Sequence, residues 1–236
     1  MSQLALPEPR DLGTVFVTGG SAGLGAAVVR AVLAAGGKAA VLDRVAPSGS
    51  VPSVTVDLGD SAAAARAVED LVLTAGPPSA VVTAAGIDVP GPLDAVDTDD
   101  WERVVRVNLF GTVAVVRAAL PHLRKARGTV VTVASTLALR GAGDATAYCA
   151  SKWGIRGFTQ ALAAELAGEV GVTLLVPGGM RTGFFDGREE KYRPGPDASL
   201  NDPDATAGAV VTALTQPIGS EIRELLVMSS KEASWP

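Results

Sequence analysis

Cysteine and histidine are nearly missing from this chain: Cys149 and His122 are the only ones among 236 residues. A single cysteine cannot form an intramolecular disulfide, which points to a reducing compartment. His122 stands beside Arg124 and Lys125 rather than among acids, so no metal site is expected. Aromatic residues make up 4% and charged residues 19%, against 47% hydrophobic, which favours one large buried core over disorder. A net charge of −5 offers no basic surface for nucleic acid or an anionic membrane. No stretch approaches the roughly 18 uninterrupted apolar residues of a membrane span. The opening MSQLALPEPRDLG also lacks the basic start and apolar run of a signal peptide. These absences together predict a soluble cytoplasmic protein whose partner is a small molecule.

What is present alternates. Short apolar runs (Thr14–Thr18, Lys38–Asp43, Val51–Val56, Ala80–Thr83, Thr129–Ala134, Val172–Val176 and Glu224–Met228) are separated by stretches of helical period. Leu24, Ala27, Val28, Ala31 and Val32 show the 3–4 spacing of a helix, ended by Gly36-Gly37. Further helices are predicted from Ser61 to Thr74, from about Asp97 to Arg124, from Ala147 to Ala167 and from Pro203 to Thr215. Runs apolar throughout, rather than alternating, suit a parallel sheet covered on both faces. The prediction is one doubly wound α/β domain over residues 1–236 with a seven-stranded parallel sheet. The long irregular stretch, Gly178 to Asp202, is rich in Gly, Pro and charge and reads as a lid loop that is mobile without ligand.

Directly after the first strand comes TGGSAGLG, Thr18 to Gly25. Gly19 allows a tight turn, Gly23 lets the backbone approach a phosphate, and Gly25 permits close helix–sheet packing. No Lys-Ser/Thr follows, so a nucleoside triphosphate loop is not indicated. Asp43 ends the second strand, where an acid can accept hydrogen bonds from ribose hydroxyls and would repel a 2′-phosphate. Arg44 beside it works in the opposite direction. Tyr148 and Lys152 fall on one helix face, as residues four apart do.

These residues resemble the short-chain dehydrogenase/reductase family over about Thr14 to Met228, with its Rossmann fold. The resemblance rests on Thr18-Gly19-x-x-x-Gly23-x-Gly25, Asn108, Ser135, Tyr148-x-x-x-Lys152, and the Pro177 to Thr182 segment PGGMRT. It implies hydride transfer between NAD(H), in preference to NADP(H), and a secondary alcohol or ketone. Asn108, Ser135, Tyr148 and Lys152 would be the catalytic residues. Tyr148 would be the general acid/base and Ser135 the donor to the substrate oxygen. Lys152 would hold the nicotinamide ribose, and Asn108 a water. Moving a phenol from about 10 to about 7 needs roughly 4 kcal/mol, which Lys152 and the oxidised nicotinamide could supply. Cofactor contacts are implied for Gly19, Ser21, Gly23, Leu24, Gly25, Asp43, Arg44, Asp57, Leu58, Ala85, Gly86, Tyr148, Lys152, Pro177, Gly178 and Thr182. Where many members have Asn-Asn-Ala-Gly, this chain has Thr83-Ala84-Ala85-Gly86, which puts local rigidity in question.

A homodimer or homotetramer is expected, because the two longest helices are apolar on more than one side and the family pairs through them. Phe184, Phe185 and Tyr192 could cover a substrate that Leu137, Leu139 and Val89 also line. Arg140, Arg181 and Arg188 would leave room for an anionic substituent. The competing readings are a catalytically idle dinucleotide-binding regulator and an imine or enoyl reductase on the same fold.

Overall fold

A computed structural model describes residues 8–232. Seven strands, β1 (Thr14–Thr18), β2 (Lys38–Asp43), β3 (Ser53–Thr55), β4 (Ala80–Thr83), β5 (Thr129–Val133), β6 (Gly171–Pro177) and β7 (Glu224–Val227), form one sheet in the order β3-β2-β1-β4-β5-β6-β7. Every pairing is parallel. Helices α1 (Gly23–Ala34) and α6 (Pro203–Leu214) cover one face. Helices α2 (Ser61–Ala75), α4 (Thr112–Ala126) and α5 (Thr146–Glu165) cover the other, and α3 (Thr98–Val105) leads into α4.

The strand period of two divides the core. Val15, Val17, Val41, Val82, Val131 and Leu175 pack towards Leu24, Val28, Val32, Val210 and Leu214. Their neighbours Phe16, Leu42, Val81 and Val130 point the other way, onto Leu71, Val115, Val116, Leu123 and Leu162. This is why each strand is apolar at consecutive positions. The doubly wound α/β architecture expected from the alternation is therefore the one observed.

Two elements depart from expectation. The strand predicted over Val51–Val56 is ordered as a ladder only over Ser53–Thr55, because it is an edge paired with β2 alone and half exposed. The long helix is interrupted: Arg106–Gly111 form a π-helical turn between α3 and α4. The continuous helical run Thr98–Ala126 is long and apolar enough to cross a membrane. Its Val104, Val115, Val116, Ala119 and Leu123 are instead buried within this fold.

β1 lies between β2 and β4, so the chain leaves the sheet in opposite directions on either side of it. Such a switch point opens a crevice at the carboxyl ends of the strands. The glycine turn, Asp43, Ala84, Ala134 and Pro177 all follow or end strands on that side.

Candidate active site

A cleft of about 640 Å³ occupies the crevice. Its floor is the turn from Gly19 to Gly25. Gly19 has φ +68°, and a Cβ there would lie 2.8 Å from the Ala85 backbone. A Cβ on Gly25 would lie 2.0 Å from the Gly19 carbonyl oxygen, so no larger residue fits. The first turn of α1 has Ala22 at its cap and no capping side chain, leaving its N–H groups to other acceptors. That arrangement suits a pyrophosphate. Thr182 closes the opposite wall, 3.5 Å from where a Gly23 Cβ would stand.

Asp43 lines the cleft at the end of β2. Its carboxylate accepts from Ser21 N at 3.0 Å and Arg44 N at 2.6 Å, which fixes its direction. Gly19, Gly23, Leu24, Gly25, Arg44, Leu58, Ala85, Gly86, Pro177, Gly178 and Thr182 line the same cleft. Ser21 does not, although its N–H donates to Asp43. Asp57 is also absent from the lining. It accepts from Gly59 N at 2.9 Å and pairs with Arg103 at 2.8 Å. The Gly59 N–H first and Arg103 second hold its carboxyl below the usual range. Asp57 is thereby tied to α3, while Val56 and Leu58 on either side of it line the cleft.

The Thr83–Gly86 departure leaves a trace, since Thr83 Oγ1 is buried without a hydrogen-bond partner. The loop is secured from elsewhere. Thr18 Oγ1 accepts from Ala85 N at 3.1 Å. Asn108 clamps Ile87 twice, accepting from its N at 2.8 Å and donating to its O at 2.9 Å. The remaining Asn108 N–H donates to Ser151 Oγ on α5 at 3.0 Å. Asn108 sits in the π turn, a distortion frequent at functional sites. Its side chain is not in the cleft wall and joins the loop to α5.

Ser135, Tyr148 and Lys152 converge where β5 ends and α5 begins. Tyr148 is hydrogen-bonded to Ser135, which favours the phenolate, but burial dominates and pushes the phenol well above its ordinary value. Lys152 is 4% exposed, and its Nζ donates to the Val133 carbonyl at 2.9 Å. It stands 5.5 Å from the Tyr148 ring centre. Burial lowers the Lys152 ammonium from 10.5 to about 8. The lowered phenol expected of Lys152 together with the oxidised nicotinamide would thus depend on the bound cofactor. Lys152 stays mostly protonated at neutral pH, and the oxidised nicotinamide, when bound, would add positive charge that favours phenolate.

That depressed pKa has a consequence for stability. The unfolded chain binds the Lys152 proton more tightly than the folded one between about pH 8 and 10.5, so stability rises with pH across that window. Below it the penalty is fully present, on the order of 3 kcal/mol from the 10.5 and 8 values. Denaturant titrations of wild type and Lys152→Met at stepped pH should show wild type gaining by that order over the window. A pH-independent difference would contradict the burial argument.

The segment from Gly178 to Asp202 is largely irregular, as its composition suggests, with several internal ties. It contains two 3₁₀ turns, Gly183–Phe185 and Glu190–Tyr192, and a bridge between Met180 and Asn201. Tyr192 donates to Asp144 at 2.9 Å, and Arg181 pairs with Asp202 at 3.1 Å. Phe184 packs against Tyr148 with ring centres 5.7 Å apart. Leu137 and Arg188 line the cleft, whereas Val89, Leu139, Arg140 and Arg181 do not.

Sequence reasoning missed three contributors. The Val133 carbonyl carries no side-chain signal. Glu232 comes from distant chain and accepts from Gly179 N at 3.0 Å. Asp88 had a signal, a lone acid just past the Ala85-Gly86 turn, and lies in the cleft wall.

The short chain dehydrogenase family profile matches residues 13–193. The chain is 31% identical to a meso-2,3-butanediol dehydrogenase of Serratia marcescens, over 78% of this chain and 77% of that protein. It is 31% identical to an L-fucose dehydrogenase of Mus musculus, over 94% of this chain and 83% of the other. The fold matches that of an alcohol dehydrogenase from Thermococcus sibiricus, solved with 5-hydroxy-NADP, at a TM-score of 0.82 and 22% identity, covering 92% of this chain and 97% of that one. A ligand-free aldohexose dehydrogenase of Thermoplasma acidophilum matches equally, with a TM-score of 0.82 and 22% identity over 92% of both chains. With the glycine turn, the strand-end cleft and the profile match in agreement, this chain belongs to the short-chain dehydrogenase family and is an oxidoreductase that uses a nicotinamide dinucleotide.

Proposed function

We propose that the protein interconverts a secondary alcohol and a ketone, with Tyr148 exchanging the proton. The observation that carries this reading is the convergence of Ser135, Tyr148 and Lys152 in one cleft with the uncapped glycine turn. The nicotinamide, when bound, supplies or accepts the hydride. Tyr148 gives its proton to the carbonyl oxygen in reduction and recovers it in oxidation, while Ser135 donates to the same oxygen as charge develops. Lys152 brings a buried positive charge to the tyrosine and is itself oriented by the Val133 carbonyl. Phe184 packs beside Tyr148 and, with substrate bound, would help to shield that oxygen from water. The named relatives, which are dehydrogenases of a diol and of a sugar, support alcohol oxidation in preference to imine or enoyl reduction. Reduced-nicotinamide absorbance should change on adding an alcohol or ketone from a mixed panel. A cofactor that binds while no member of the panel turns over would favour the idle regulator instead.

The same reading includes pairing of two copies. Phe110, 52% exposed, and Trp153, 47% exposed, present large apolar surface from the π turn and from α5. Light scattering at micromolar concentration should give at least twice the 23.8 kDa chain mass, and a monomer would contradict the pairing.

A further inference from the structure

The loop after β4 and the segment after β6 meet in an ion pair. Arg188 Nη2 lies 3.2 Å from Asp88 Oδ2, with the two side chains 11% and 6% exposed. In every other ion pair among the described residues at least one side chain is well exposed. The Arg188 guanidinium rests on Phe184 and Phe185, 4.5 and 5.0 Å from their ring centres. Phe184 in turn lies against Tyr148. Both charges also act on the Tyr148 phenol, in opposite senses. The pair therefore stands beside the reacting position, in the wall of the same cleft.

Burying a charge pair contributes little unless its remaining donors and acceptors are satisfied. Here they are not: Asp88 Oδ1 is buried without a hydrogen bond, and Arg188 Nη2, although 3.2 Å from Asp88 Oδ2, does not make one to it. An acceptor and a donor left open side by side define what would complete them. A hydroxyl group both donates and accepts. A carbonyl only accepts and would leave Asp88 Oδ1 open. A carboxylate would have to displace Asp88 from Arg188.

We infer that Asp88 and Arg188 together receive a second hydroxyl of the substrate, close to the carbon that reacts, so that the substrate is an uncharged hydroxy ketone or diol. The hydroxyl donates to Asp88 Oδ1 and accepts from Arg188 Nη2, while Tyr148 and Ser135 engage the reacting oxygen. Asp88 belongs to the loop that Asn108 holds through Ile87. Arg188 belongs to the segment that covers Tyr148, and this segment lifts to admit the hydroxyl and closes upon it. The inference rests on the alcohol–ketone reading above and narrows it.

Matched ketones test it: acetoin against butanone, hydroxyacetone against acetone, with acetoacetate as the charged probe. Wild type should prefer the hydroxylated member of each pair at least tenfold in kcat/KM. The double variant Asp88→Leu/Arg188→Met, which leaves no lone buried charge, should lower that ratio at least tenfold. If circular dichroism shows that it does not fold, Asp88→Asn should lower the ratio at least threefold. Equal kcat/KM within the pairs, an unchanged ratio in a folded variant, or preference for acetoacetate would overturn the inference while leaving the redox reading in place. Failure of wild type to reduce any of the ketones would sink both.

Discussion

Tyr148→Phe should lose at least a hundredfold in kcat and still bind cofactor, because the substitution removes one hydroxyl and leaves the cleft wall in place. Acid–base groups typically contribute ~10²–10⁴. The structure makes the tyrosine hard to replace. Tyr148 is half-buried beside Phe184, and Ser135 is its hydrogen-bonded neighbour, so a substitute acid would have to enter beside both. The expected pattern is a large fall in kcat with cofactor affinity, read by fluorescence quenching or calorimetry, within a few-fold of wild type. Near-normal turnover would end the mechanism.

NAD(H) should be preferred over NADP(H) by at least tenfold in kcat/KM, and Asp43→Ala should erase most of that preference. Asp43 is held in direction by the Ser21 and Arg44 N–H groups, so its carboxylate cannot readily swing aside for a 2′-phosphate. Two like charges about 4 Å apart repel by about 4 kcal/mol at an effective dielectric of 20, before screening by salt. Arg44 lines the cleft too and would soften this. A wild-type preference for NADPH would mean that Arg44 outweighs its neighbour.

Legibility followed the range of the interactions. β1, β2 and β4 were readable to the residue, since each is a buried apolar run bounded by Gly or polar residues. Tyr148 and Lys152 were readable because helical spacing alone puts them together. The π turn at Arg106–Gly111 was not, because slipping the helix register by one residue leaves the apolar pattern almost unaltered. The Asn108 clamp on Ile87 and the Lys152 bond to Val133 join distant chain to main-chain atoms, which no residue type announces. The Arg103 partner of Asp57 was hidden for the same reason. Its place after β3 is legible, but the pairing with Arg103 on α3 joins residues 46 apart in the chain. In Gly178 to Asp202 composition showed an irregular segment but not its contacts, Tyr192 to Asp144 and Arg188 to Asp88, which join distant chain.

The central claim is that hydride moves between the cofactor and a carbonyl carbon in this cleft, with Tyr148 supplying the proton. Reduced cofactor carrying deuterium at the transferring carbon of the nicotinamide, incubated with a hydroxy ketone and the protein, tests it most directly. The account predicts one deuterium on the new carbinol carbon with wild type, and at most a hundredth of that rate with Tyr148→Phe. Product without deuterium, or labelling as fast in the Phe variant, would contradict it.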